Sequence, residues 1–267
     1  MAAIPTQITV RVIARDGKFL GDDIGGAQID IRDVRSGELL ASGRTRGGSG
    51  PPTLMTTPLT RNQAIPTVDP GDAANNACRF DATLILDTPR LIEISAFGPL
   101  AAQQNANRVS ATTWVYPGKD VTPECSDRED GFLLEIPGLL VQILEPPAHY
   151  LPWNPDQNQA IPIRANVTMM CGCPISPNPW HNNPTPWPDT DFEVAASIAS
   201  NNGETTCVKC VKLQFDPDAR GGAPSQFLTT QWTPGSFGVY EITVYAYQKS
   251  TGNTGADRTT VNLQKTA

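Results

Sequence analysis

Residues 6–15 read TQITVRVIAR, and Ile8, Val10, Val12 and Ala14 fall on one parity with mostly polar residues between them. That period of two marks a β-strand with one buried face, because successive side chains of a strand point to opposite sides. The same alternation recurs along the chain. AQIDIRDV at 27–34 carries it through Ala27, Ile29 and Ile31, and the Ser36-Gly37 turn of RSGELLASGR at 35–44 folds it into a hairpin. RFDATLILD at 79–87 repeats it through Phe80, Ala82, Leu84 and Leu86. LIEISAFG at 91–98 does so through Ile92, Ile94 and Ala96, and RVSATTWVYP at 108–117 adds a further strand. The apolar run GFLLEIPGLLVQILEPP at 131–147 is cut by Pro137-Gly138, which disfavours one helix and predicts two strand pieces.

The second half has the same grammar. In IRANVTMMCGC at 163–173, Ala165, Val167, Met169, Cys171 and Cys173 share a parity, which predicts that both cysteines face the core. FEVAASIA, CVKCVKLQF, SQFLTTQW and GVYEITVYAYQ follow as strands, and STGNTGAD at 250–257 joins the last of them to DRTTVNLQ in a terminal hairpin. A chain of 267 residues is long for one core and comfortable for two. The expected architecture is all-β: two tandem β-sandwich domains at 1–147 and 162–267. They are joined by a proline-rich linker at 148–161, where prolines keep the chain extended. A long irregular loop at 47–76, rich in Pro, Gly, Thr and Asn, interrupts the first domain. NQAIP occurs at 62–66 and again at 158–162, but the flanking residues do not match, so it is read as coincidence rather than duplication.

GSFGVYEITVYAYQKSTGNTGADRTTVNL resembles the closing strand pair of bacterial immunoglobulin-like domains. VRVIARDGKFLGDDIGGAQIDIRDVRSGELLASGRT is similar to the opening of carboxypeptidase-regulatory-like or transthyretin-like sandwiches. The two resemblances cover about 65 residues, and the insertion after Thr45 departs from the compact pattern. They imply sandwich folds and an extracytoplasmic adhesive, scaffold or accessory role.

The bulk composition excludes some partners. Twenty basic residues against 27 acidic ones give a net charge of −7, which disfavours nucleic acid and anionic lipid. No run approaches the length of a transmembrane helix, and MAAIPTQITV lacks the shape of a signal peptide. An extracytoplasmic location, periplasmic or secreted, is inferred from the cysteines and requires that a signal was removed.

Six cysteines divide evenly, Cys78 and Cys125 in the first half and Cys171, Cys173, Cys207 and Cys210 in the second. Disulfides are one reading: Cys78 with Cys125, and Cys171 and Cys173 with Cys207 and Cys210 in some order. Each bridge would contribute a few kcal/mol by constraining the unfolded chain. The alternative is metal: C-G-C and C-V-K-C could supply four thiolates to zinc, and MMCGC with His181 nearby offers the soft ligands of a copper or redox site. Cys207 shares the parity of Val211, Leu213 and Phe215 while Cys210 does not, so a bulge between them is needed for both to join one cluster. His149 and His181 sit in proline-rich loops without a G-x-S-x-G elbow, so hydrolase chemistry is not expected. The acidic turns at 127–131 and 216–218 do not follow a calcium-loop spacing. Trp153, Trp180 and Trp187 either form a surface for a glycan or protein, or cap the sandwich ends.

The leading expectation is therefore a non-catalytic extracytoplasmic module that presents loops to a protein or glycan partner. A zinc, copper or redox protein built on the second-half cysteines is the alternative. A structural surface or filament component assembling through strand edges is a third.

Overall fold

The computed structural model describes residues 2–50, 77–122, 131–157, 159–177, 185–200, 206–216, 219 and 225–265, with backbone only at 157 and 206–210. The chain divides into two units, one made of Met1–Pro137 with Met170–Cys173 and one of Gly138–Met169 with Pro174–Ala267. Each is a β-sandwich, as the alternation predicts.

In the first unit, β1 (Ile4–Ala14) is the middle of a three-stranded sheet. It pairs antiparallel with β4 (Phe80–Leu86) and parallel with β7 (Phe132–Ile136). The other sheet has the order β3 (Leu39–Arg44), β2 (Gln28–Asp33), β5 (Arg90–Gly98), β6 (Asn107–Val115). Ile8, Val10, Val12, Leu84, Leu86, Ile29, Ile31, Ile92 and Ile94 supply the core. Each such side chain contributes about 1.5–3 kcal/mol on burial. The predicted hairpin turn is held by Asp33, whose carboxylate accepts the N–H groups of Arg35 at 2.9 Å and Ser36 at 2.8 Å.

β1 departs from the one-faced strand that its alternation predicts. Thr9, Arg11 and Ile13 are buried as well. The chain after β1 folds back so that Phe19 bridges to Ile13 and the Leu20 N–H donates to the Val12 carbonyl at 3.0 Å. Ile13, Phe19, Ala77 and Cys78 form a small second cluster. Both faces of the strand are therefore covered.

The second unit has the sheet order β8 (Leu139–Glu145), β10 (Ile161–Met169), β13 (Gln226–Trp232), β12 (Thr206–Phe215), β11 (Phe192–Ser200), β14 (Gly238–Gln248), β15 (Thr254–Lys265), β9 (His149–Trp153). Lettered along the chain, with β8 as A and β10 to β15 as B to G, the strands form A-B-E and D-C-F-G, a sandwich of the immunoglobulin kind in which D lies mainly beside C. β12 joins the two halves, pairing with β11 from Thr206 to Leu213 and with β13 at Gln214 and Phe215. Near the start of β14, the Tyr240 hydroxyl donates to the Ser236 carbonyl at 2.9 Å, and its ring meets Trp232 edge-on at 5.5 Å. This is the tyrosine-corner arrangement of such sandwiches.

Three expectations need correction. The division falls at Pro137 rather than near residue 148. The segment 148–161 is no linker, because it holds β9, which pairs with β15. β9 tolerates Pro152 because it lies at the end of the sheet and needs fewer ladder bonds. The strand carrying the C-G-C motif ends at Met169, so its parity does not extend to the cysteines. Of the long 47–76 loop, residues 51–76 lie outside the described residues.

Candidate functional site: a cysteine turn and an exposed sheet edge

After β10 the chain reverses within a few residues, and Thr168 and Pro174 form an antiparallel bridge across the reversal. Gly172 makes this possible with φ of +78°, a conformation that residues with a Cβ rarely adopt. The reversal brings Cys171 and Cys173 together, with their Sγ atoms 2.9 Å apart. Cys171 is 2% exposed and Cys173 is partly exposed. The Cys171 sulfur rests on Gly17, where an added Cβ would lie 3.1 Å from it. The pair shares its protons unequally. A hydrogen bond from Cys173, helped by the Lys18 backbone N–H, lowers the pKa of Cys171 against the opposing effect of burial. The Cys173 proton, held in that bond and partly desolvated, is pushed well up. The first proton leaves easily and the second with difficulty, as coupled groups behave.

The remaining cysteines are elsewhere. Cys78 is buried, and its Sγ donates to the Leu20 carbonyl at 2.9 Å. Its expected partner, Cys125, lies outside the described residues. Cys207 and Cys210 are on β12, in register with Ala199 and Ser197. The irregularity that their parity requires is there, since Ile198 pairs with Lys209 and Ala199 with Cys207. Their side chains lie outside the described residues, as do Trp180 and His181.

Trp153 and Trp187 are each 4% exposed, so neither offers a ring to a partner. Trp153 packs edge-on against Phe237 at 5.5 Å and donates its indole N–H to the Gln159 carbonyl, which makes it a cap on its own unit.

Burial pushes the Cys78 thiol from its ordinary 9.0 up to about 12. An unfolded chain sheds this proton near 9.0 while the folded one holds it. Stability should therefore be level below pH 9.0 and fall as pH rises from there toward 12. Urea midpoints measured across that window should slide downward, and Cys78→Ala should flatten the slope. An unchanged slope in the variant would assign the effect to other groups.

A second feature concerns the edge of the first unit. β6 has β5 as its only ladder partner among the described residues, in unbroken register from Arg90–Val115 to Gly98–Asn107. It lacks the protection natural edges use: it has no proline and no lysine, and eight of its nine positions are exposed or half-exposed. Its single charge, Arg108, lies over the Phe97 ring at 5.4 Å. Trp114 and the following Tyr116 are 47% and 53% exposed.

No protein-family model matches the chain, and no curated protein does. Among solved structures, it is similar to an engineered protein at 17% identity over 52% of this chain, with a TM-score of 0.29, and spans only 23% of that protein's length. It is also similar to fibronectin(III)-like modules of Clostridium thermocellum CbhA, at 11% identity over 98% of this chain and 95% of that one, with a TM-score of 0.27. Drosophila N-cadherin EC1-3 matches at 11% identity over 98% and 68% of the two chains, with a TM-score of 0.29.

The two features of the site differ in how far they can be read from the residues taken singly. The exposure of β6 depends on which strands pair, and that pairing is set over long sequence distances. The closeness of the two thiols had a local signal in the glycine between them.

Proposed function

We propose that this protein is a binding module that takes up an extended segment of a protein partner along the edge of β6. The observation that supports this is the length of an edge that has no second ladder partner among the described residues, although its Asn107 end is tied to the Pro137 carbonyl at 2.8 Å. Its nine residues include four that are β-branched and Trp114, and are uncharged apart from Arg108. An edge of this kind offers main-chain N–H and C=O groups to an added strand, and Trp114 and Tyr116 supply apolar area beside it. An extracytoplasmic location belongs to the same reading and rests on the cysteine content.

The test is to select displayed peptides against the full chain and then map them. Selected peptides should alternate apolar and polar residues and should slow amide hydrogen exchange over 108–115. Ala111→Lys places a charge on the edge at an exposed position opposite Ile94. It should weaken binding at least tenfold while leaving thermal unfolding unchanged, and Thr113→Lys should do the same. Peptides that protect other amides, or that bind both variants as well as wild type, would overturn the proposal, and so would the absence of any selected peptide.

A further inference from the structure

We propose that Cys171 and Cys173 form a thiol–disulfide exchange site that accepts small-molecule disulfides. The turn already holds both sulfurs 2.9 Å apart, so closing a bond between them needs little chain movement. The site is also asymmetric. Cys173 is partly exposed and flanked by the exposed Gly172, while Cys171 is buried on Gly17. An incoming disulfide therefore meets Cys173 first.

The chemistry balances within the pair and its co-reactant. One proton leaves the pair, the proton that remains passes along the sulfur–sulfur hydrogen bond from Cys173 to Cys171, and the Cys173 sulfur attacks a sulfur of the external disulfide, expelling one of its halves as a thiolate. Cys171 then gives up its proton and attacks the Cys173 sulfur of the mixed disulfide, expelling the second half. Two protein thiols and one external disulfide become one protein disulfide and two small thiols. The protein is oxidised, the external disulfide is reduced, and both protons end on the departing thiols. A bridge closed over a single intervening residue is strained, and strained, accessible disulfides are the ones that reopen readily. The site is thus suited to cycling rather than to permanent cross-linking. It does not depend on the β6 edge.

The test uses the full chain in glutathione buffers of graded oxidised-to-reduced ratio, quenched in acid and alkylated. Cleavage before aspartates releases residues 156–188, a fragment that carries Cys171 and Cys173 and no other cysteine. In reducing buffer it should carry two alkyl groups, and as the buffer becomes oxidising it should escape alkylation and weigh two hydrogens less than the free dithiol, reverting on return to reducing buffer. Cys171→Ser should trap glutathione on Cys173, and Cys173→Ser should accumulate at least tenfold less adduct, with circular dichroism confirming that both variants fold. Three results would each overturn the proposal. One is two alkylatable thiols at every ratio in the wild-type chain. Another is recovery of the fragment joined to peptides carrying Cys207 or Cys210. The third is stoichiometric zinc or copper on the reduced chain that shields both thiols.

Discussion

Arg11→Ala should destabilise the first unit by about 3–5 kcal/mol, a size typical of truncating a large, fully buried side chain to leave a cavity. Arg11 has no solvent exposure, and its Nη1 donates to the Ala77 carbonyl at 2.5 Å and to the Cys78 carbonyl at 3.4 Å. It therefore fastens the segment at 77–78 to the second face of β1. Alanine would leave those carbonyls without this donor and open a cavity that the surrounding strands can fill only in part. Arg11→Met separates the two effects. It keeps most of the volume and should cost only the lost hydrogen bonds, roughly 1–3 kcal/mol. Urea unfolding with hydrogen exchange over 8–14 would check both. Equal losses for Ala and Met, or losses under about 1 kcal/mol for either, would contradict this account of how β1 is covered.

The second large effect is expected at Gly255. A Cβ built there would lie 2.2 Å from the Leu139 carbonyl oxygen and 2.9 Å from its carbon. Those are backbone atoms of β8, which cannot swing aside as a side chain can. β8 is also tied to the strand that carries the glycine: Asp257 accepts the Ile143 N–H at 2.8 Å, and Asn253 accepts the Gly138 N–H at 3.0 Å. Gly255→Ala should force β8 outward at a cost of about 3 kcal/mol, at the upper end for overpacking. That corresponds to a fall of roughly 10 °C in Tm for a unit of this size. Gly235→Ala is the control, because nothing lies within 4 Å of its Cβ position. Scanning calorimetry that found the two variants alike would remove the proposed close approach of β15 and β8.

The strands themselves were legible because alternation reports a single buried face directly, as with Val194, Ala196 and Ile198 on β11. Arg11 shows where that signal stops. A period of two identifies one inward face and assigns the other to solvent, and only the distant segments at 18–20 and 77–78 reverse that assignment. The parity of Cys171 and Cys173 failed for a different reason, since counting by twos continues past the end of a strand while the chain itself turns at Gly172. Proline content misplaced the boundary. In 148–161 it was read as stiffness between domains, yet the sheet accommodates Pro152 in a strand at its end. The tryptophans are ambiguous because composition cannot tell a cap from a platform; of the described ones, Trp153 is a cap and Trp187 is buried.

The parallel pairing of strands has a mechanical consequence. In the first unit β1 runs beside β7 from Val10–Phe132 to Ala14–Ile136, and in the second β9 runs beside β15 from Val261–His149 to Lys265–Trp153. Tension applied at the start of one such strand and the far end of its partner slides the two past each other. All the hydrogen bonds of the ladder then resist at once, whereas a hairpin pulled from its open end surrenders them one at a time. In the first unit β1 and β7 are also the first and last strands in chain order, so pulling along the chain would load this ladder in shear.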